Sequence, residues 1–406
     1  MWLKIRPREP LLLGEARADT QFIASRSYIP GRAMRGALAL DLLREGRSGD
    51  EVVAFAGRLR LGNFFPAPEW GRLQYALPLP MTAMSCKRHS GFLSSPCPDR
   101  RGHGVVDSLI PHLAYHLLLQ QENPACFPVP FAFDCDHEGC GGRMEPFVRF
   151  YCLTEVGRET LYLAVEPRFH AQTKVALSRS RRASYEEMLY TVSALAPKTE
   201  SPDGSGDCDL VFLGRVQGEG EAVARLREAL ERTPIGALHT RGYGAVQVEE
   251  AEVGLPPLAD RLSAFNQKLK RVWDDLRRLA VNADDLREGP EHTYFSVDLL
   301  APAVFRQDGV PTLVPRLQVG GRVLEPVLWA TRPDMASGWS GAWGLPKPTD
   351  LAARQGSVYV FRWPGTEEEA LPFLAALEEE GVGERRDESF GECLVCHPFH
   401  QEVEER

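Results

Sequence analysis

Three stretches of this chain combine residue types that favour phosphate. In Ser27-Tyr-Ile-Pro-Gly-Arg-Ala-Met-Arg-Gly-Ala-Leu, a Pro-Gly pair precedes a helix whose first turn carries Arg32 and Arg35. Free backbone amides and the helix dipole make such a terminus attractive to an anion. It is not a Walker loop, because the Gly-Lys-Ser/Thr ending is absent. A Pro-Gly turn opening an ordinary helix gives the same letters. The run Arg168–Arg182 holds Arg168, Lys174, Arg179, Arg181 and Arg182, together with His170, and contains no acidic residue. It suits an RNA or phosphate-backbone track, or else a solvated basic face. Gly236-Ala-Leu-His-Thr-Arg-Gly-Tyr-Gly244 combines glycines that permit close backbone approach with His239 and Arg241, which can meet phosphates or bases. A tight structural turn explains these glycines equally well, though less easily the arginine.

A fourth stretch, Cys135-Asp-His-Glu-Gly-Cys140, is a short turn with two thiols, compatible with half of a tetrahedral zinc site. Cys86, Cys97, His103 and Cys126 are candidates for the remaining ligands, and buried or surface thiols in an inserted region are the alternative. Cys393-Leu-Val-Cys-His397 spells the haem-attachment pattern. Haem attachment takes place in an oxidising compartment reached through a signal peptide, and strand positions three apart face opposite sides, so core thiols are the better reading.

The elements that position these stretches belong to a mixed globular chain. Its 406 residues suggest two or three domains, and its net charge of −9, with 43% hydrophobic and 25% charged residues, excludes a disordered chain and a nonspecific nucleic-acid coat. Only seven of its basic residues are lysine, so arginine dominates, through codon bias or for bidentate phosphate contacts. Met1–Pro7 lacks the apolar region of a signal peptide, and no stretch reaches the ~20 apolar residues that span a bilayer. A cytoplasmic protein with no membrane partner is expected, in which the nine cysteines are metal ligands or buried thiols rather than disulfides.

One internal repeat is visible. Leu226, Leu230, Gly236 and Tyr243-Gly244 share their spacing with Phe373, Leu377, Gly383 and Phe390-Gly391. Each copy reads as amphipathic helix, glycine loop and alternating strand, the strands being Ala245–Val248 and Glu392–Val395. Upstream of the first copy, Trp2–Ile5, a helix Ala33–Leu43, Leu161–Val165 and Leu210–Val216 give a ferredoxin-like order. Upstream of the second, Tyr294–Leu300, Val323–Trp329 and Val358–Trp363 are strands, the helix Glu367–Glu379 follows, and the first helix is missing or replaced. Between the units, Leu258, Leu262, Phe265, Leu269, Val272, Leu276 and Leu279 predict a long amphipathic helix packing across both domains, or else a short coiled-coil seam.

From the N-terminal strand to His400 the chain resembles the RAMP superfamily of CRISPR-associated proteins. It is more narrowly similar to the Csx-ten type, a subunit of type III-D effector complexes. The narrower likeness rests on Pro80-Met-Thr-Ala-Met-Ser-Cys-Lys, His103-Gly-Val-Val-Asp, the Cys135/Cys140 pair, and Gly381-Val-Gly-Glu-Arg-Arg with Phe390-Gly and His397-Pro-Phe-His. The resemblance implies an α+β fold of two tandem ferredoxin-like, RRM-like domains. The first spans 1–255 with a cysteine-containing insertion at about 86–150, a connecting helix occupies 256–290, and the second domain spans 291–406.

It also implies a subunit binding guide RNA (crRNA) in the Cas-five-like position, holding the 5′ repeat-derived handle beside the large subunit and backbone RAMP proteins in antiviral defence. Because no segment displays a convincing acid–base pair or carboxylate metal set, a noncatalytic scaffold is expected. Tyr28, Gly31, Arg32 and Arg35 match the helix-start motif, and Gly236, Arg241, Gly242 and Gly244 match the loop. Lys87 and Cys86 lie in a family motif, which favours Cys86 as third zinc ligand and Lys87 as an RNA contact. In the second loop, Glu384, Asp387 and Glu388 among Arg385 and Arg386 suggest a surface facing protein. The competing class is an endoribonuclease. Asp19 lies where target-cutting RAMP subunits carry an aspartate, and His170 or His239 suits a metal-free guide-processing site, although no paired partner is identifiable. A pure protein-interaction module is a third reading.

Overall fold

Trp2–Pro7 alternates half-buried and buried positions, with Leu3 and Ile5 fully buried, as a strand with one face in a core must. In the computed structural model, which describes residues 1–14, 22–178, 180, 183–340 and 344–401, this strand is central to the first sheet. It pairs antiparallel with Asp207–Gly218 on one side and Val246–Ala251 on the other. Asp207–Gly218 pairs in turn with Phe65–Pro68, Leu59–Leu61 and Lys198–Glu200. Helices Gly31–Arg44 and Gly220–Arg232 cover one face, and Met34, Leu38, Leu226 and Leu230 join Leu3, Ile5, Phe212 and Val248 in one core. Among the described residues the fold is α+β, with six α-helices and several small sheets, and no helix is long and apolar enough to cross a membrane.

The second sheet repeats this connectivity. Thr293–Leu299 is central, flanked antiparallel by Val358–Trp363 and Cys393–Val395, and Val358–Trp363 pairs outward with Pro326–Ala330. Helix Glu367–Glu380 starts at a capping box, in which Thr366 accepts from the Glu369 amide (3.3 Å) and the Glu369 carboxylate accepts from the Thr366 amide (3.0 Å). The place of a first helix is filled by the connecting helix Leu258–Leu279. Its Leu262, Phe265 and Leu269 pack with Phe295, Val297 and Phe361 and with Leu109 and Leu113 of the insertion helix Leu109–Leu119. The amphipathic stripe packs on the second sheet and on the insertion that belongs to residues 1–255, and Leu279 at its end is exposed.

Two strand expectations change. Leu161–Val165 lies in Glu159–Val165, which joins Phe150–Val156 and Arg72–Pro78 in a separate three-stranded sheet. Its place in the first sheet is taken by Phe65-Pro-Ala-Pro68, whose prolines hide the strand from any periodicity. Val323–Trp329 splits before Pro326, leaving Arg322–Leu324 to pair with Leu317–Val319 and Pro326–Ala330 to join the second sheet.

The repeat is closest in the two glycine turns, 147 positions apart. Gly236, Leu238, Gly242 and Gly244 have φ of 89, 60, 78 and 101°, and Gly383, Arg385, Ser389 and Gly391 have 76, 56, 65 and 71°. Each turn encloses one short 3-10 helix, His239–Arg241 or Arg386–Glu388. Each hangs on the same bonds: Ile235 N to Gly244 O (2.9 Å) and Ala237 N to Leu12 O (2.9 Å), against Val382 N to Gly391 O (2.8 Å) and Glu384 N to Val304 O (2.8 Å).

The insertion is tied to the second sheet by a buried charge network. His400, 0% exposed, lies 2.7 Å from Asp298 and 3.1 Å from Asp107. Burial alone would lower the His400 pKa, but the two carboxylates raise it to about 10, so it is an imidazolium at neutral pH. Burial, opposed chiefly by Asp298, pushes neighbouring His397 down to about 3 and keeps it neutral. A pKa raised in the folded state stabilises fully below its unfolded value of 6.5, and that stability drains away as pH rises through about 10. The depressed His397 acts oppositely, losing stability as pH falls below 6.5 towards about 3. Unfolding free energy measured against pH should peak near neutrality. His400→Gln should remove most of the alkaline decline and cost about 3–5 kcal/mol at pH 7. An unchanged alkaline limb in that variant would refute the network.

Candidate functional site

The first glycine turn is built by close approach. A Cβ at Gly236 would strike the Leu12 carbonyl and one at Gly244 would meet the Ile235 carbonyl at 2.5 Å, whereas Gly242 faces open space. The turn delivers its side chains to the long hairpin Phe169–Ser178/Ala183–Leu195. Arg241 Nη1 donates to Tyr190 Oη (2.8 Å), Tyr243 Oη donates to Gln172 Oε1 (2.8 Å), and Lys174 Nζ sits 4.7 Å from the centroid of the Tyr243 ring. Lys174 and Tyr190 are direct cross-strand partners, and His170, Gln172 and Lys174 are alternate residues on the same face. His170 is exposed and His239 is half-buried, with its Nε2 lacking a protein partner. Two sequence-distant basic segments thus form one surface of cations, aromatic rings and amide groups. Tyr190 and Gln172 belong to it and have no sequence signal of their own; register alone brings them there.

Other basic residues are committed elsewhere. Arg168, at the hairpin root, pairs with Asp207 (2.7 Å) and Glu200 (3.2 Å), and Lys87 pairs with Glu145 (2.7 Å). Arg179, Arg181, Arg182 and Asp19 lie outside the described residues.

The helix start faces the second unit. Gly31 is buried, and a Cβ there would strike Leu61 O and Ser389 Oγ and meet Gly62 O at 2.6 Å. Its amide donates to Asn63 Oδ1 (3.3 Å), so the first helical N–H is capped internally. Asn63 is 2% exposed and also donates from Nδ2 to Ser389 O (3.0 Å) and to Glu392 Oε2 (2.8 Å), while its backbone N–H reaches the same carboxylate oxygen at 2.7 Å. Burial pushes the Glu392 carboxyl up from its usual range against these hydrogen bonds. Arg32 donates to Ser337 O (3.1 Å) and lies 5.1 Å from the Phe390 ring, where Arg385 lies at 4.9 Å. Arg35 donates to Leu59 O (3.3 Å), and burial pulls both Arg32 and Arg35 below their ordinary value. Tyr28 is a core residue against Phe65 and Phe150, its hydroxyl accepting from Arg26 (3.1 Å). The helix-start motif therefore serves the junction of the two units. The second turn faces this same junction, with Arg385 paired to Glu388 and Asp350 at 3.0 Å each.

In the insertion, the sulfurs of Cys86, Cys135 and Cys140 and a ring nitrogen of His103 lie within 4.8 Å of one another. Cys393 begins the last strand of the second sheet and Cys396 directly follows that strand; both are buried, their thiols pushed up by burial, which is the core role expected of them.

Residues 260–398 match the family model described as CRISPR-associated protein (Cas_Cmr3). That third of the chain carries the connecting helix, the second sheet and the second glycine turn. No curated protein sequence matches the chain. Among solved structures, a type III-B Cmr-beta complex bound to cognate target RNA contains a chain 12% identical, with a TM-score of 0.41, covering 95% of this chain and 91% of that one. The same complex with target RNA and AMPPnP gives 12% identity and a TM-score of 0.39 over 93% and 89% of the two chains. A Csm3–Csm4 subcomplex of the type III-A CRISPR-Cas interference complex gives 10% identity and 0.34 over 88% and 92%.

Asn63→Ala should cost about 1–3 kcal/mol, because it strands the Gly31 amide and the Ser389 carbonyl and leaves buried Glu392 with the backbone N–H of residue 63 but not the side-chain donor. Denaturant unfolding checks this, and a loss below about 0.5 kcal/mol, the range of an ordinary surface change, would contradict the junction.

Proposed function

We propose that this chain is a noncatalytic guide-RNA-binding subunit of a type III CRISPR interference complex, built on two tandem ferredoxin-like units and cradling the 5′ repeat-derived handle of crRNA. Its partners are crRNA, the large subunit and the backbone RAMP proteins, and its sequence motifs favour the III-D, Csx-ten branch. The observation that carries this reading is the joined surface of the first glycine turn and the hairpin. Arg241, Lys174, His170 and His239 supply charge and donors to a ribose-phosphate chain, and Tyr190 and Gln172 position them. The match of residues 260–398 to a CRISPR-associated family supports the setting. The sheet order also supports the architecture: in each unit the first strand lies between the third and the last. Arg32 and Arg35 act through the junction, holding the second unit in place, rather than by meeting phosphate from a free helix end.

Handle-RNA affinity measured across a salt series tests the proposal. Arg241→Glu with Lys174→Glu should weaken binding at every sequence and reduce the slope of log K against log salt by about 0.7 for each phosphate no longer neutralised. Lys87→Ala should leave both unchanged, because that ammonium is already paired with Glu145. Salt-independent binding, or identical affinity in the double variant, would end the RNA assignment. RNA cutting abolished by Asp19→Ala would replace the scaffold role by catalysis.

A further inference from the structure

One end of the insertion's small sheet joins an apolar cluster through Ala83 and Val105, with Phe92 and Phe147, while its other end is closed by thiols. Its strands Ala83–Cys86, Val105–Asp107 and Met144–Pro146 are three or four residues long, too short to hold themselves together. The buried cluster there consists of Cys86, Cys135 and Cys140, with Met144 packed against it. Cys86 Sγ lies 3.6 Å from Cys140 Sγ, and Cys135 Sγ lies 3.4 Å from His103 Nδ1. A tetrahedral zinc with Zn–S of about 2.3 Å and Zn–N of about 2.05 Å sets sulfurs about 3.8 Å apart and sulfur to nitrogen about 3.5 Å apart. The two observed separations lie within about 0.2 Å of those edges, and all four ligand atoms lie within 4.8 Å of one another.

Three features of the surroundings serve the same geometry. Backbone N–H groups of Arg88 and His89 point at the Cys86 sulfur and that of His137 at the Cys135 sulfur, as amides do around metal-bound thiolates. The His103 ring is stacked between His137, at 3.8 Å and 9°, and His89, at 4.3 Å and 30°, which fixes its plane. Gly142 leaves room where a Cβ would lie 2.9 Å from the Cys86 sulfur and 3.1 Å from that of Cys140.

We propose that Cys86, His103, Cys135 and Cys140 bind one structural zinc ion that staples the insertion. The four ligands come from the end of one strand, the loop before the next and a turn after the insertion helix, so the ion closes two long excursions of chain at one point. All four positions are filled by protein, which leaves no open site for catalysis. The zinc-bound sheet also carries Asp107, so the ion braces one carboxylate of the His400 network. This proposal is independent of RNA binding.

The test uses the full chain purified without chelator or added metal. Elemental analysis should find about one equivalent of zinc, released by an organomercurial thiol reagent. Cobalt exchanged into the protein should show thiolate charge-transfer bands and intense tetrahedral ligand-field bands. His103→Cys should retain the metal, while His103→Ala should lose it to a chelator at least about tenfold faster. Zinc removal should raise amide hydrogen exchange across residues 83–146. Less than half an equivalent in the wild-type chain, weak octahedral cobalt bands, or a Cys86–Cys140 disulfide in the untreated protein would each overturn the proposal. The cobalt spectrum and the zinc content are read on wild-type protein, so the outcome does not depend on any variant folding.

Discussion

Backbone pressed against backbone, at spots where a methyl group would not fit, is the constraint from which the rest of this molecule follows. At Gly236 and Gly383 a turn lies on the carbonyl of a residue just beyond its unit's first strand, Leu12 or Val304. At Gly31 a helix end lies on Leu61 and on the turn of the other unit. Such contacts leave the chain little choice of geometry, because each pairs a left-handed or close-packed glycine with specific backbone hydrogen bonds. They fix where the first turn presents Arg241 and where the second turn meets Asn63.

The two turns share a backbone and differ in what they face. The first keeps Gly242 open and hands Arg241 to the hairpin. The second carries Ser389 at the equivalent left-handed position, and its hydroxyl donates to Leu61 O at 2.8 Å. A serine there carries a conformational cost that a glycine would not, and the interdomain hydrogen bonds offset it. The acidic residues around Arg385 and Arg386 complete the divergence by neutralising that surface from within.

Much of this architecture was legible in the sequence. The repeat at Leu226/Phe373 through Gly244/Gly391 marked helix, turn and strand in both units because the same backbone bonds demand glycine at the same places. The 3-4 spacing of Leu258 to Leu276 revealed the connecting helix, since packing on one face requires that period. What escaped was everything set by pairing between distant segments. Phe65–Pro68 has no strand pattern because as an edge strand it can spare the N–H groups its prolines lack. Arg32 and Arg35 read as anion ligands because a free helix end and one capped by Asn63 look identical in one dimension. The thiols of Cys86, Cys135 and Cys140 were recognisable from type and spacing, whereas His103 was one candidate among several until the strands brought it to them. Arg168 belonged to a basic run, and only the fold shows Asp207 and Glu200 beside it.

Asp107, Asp298 and His400 lie far apart along the chain, so their contact exists only when the insertion, the second sheet and the segment after its last strand are docked together. Loosening any one of the three leaves buried charge without its counterpart in the other two, which couples their opening to one another.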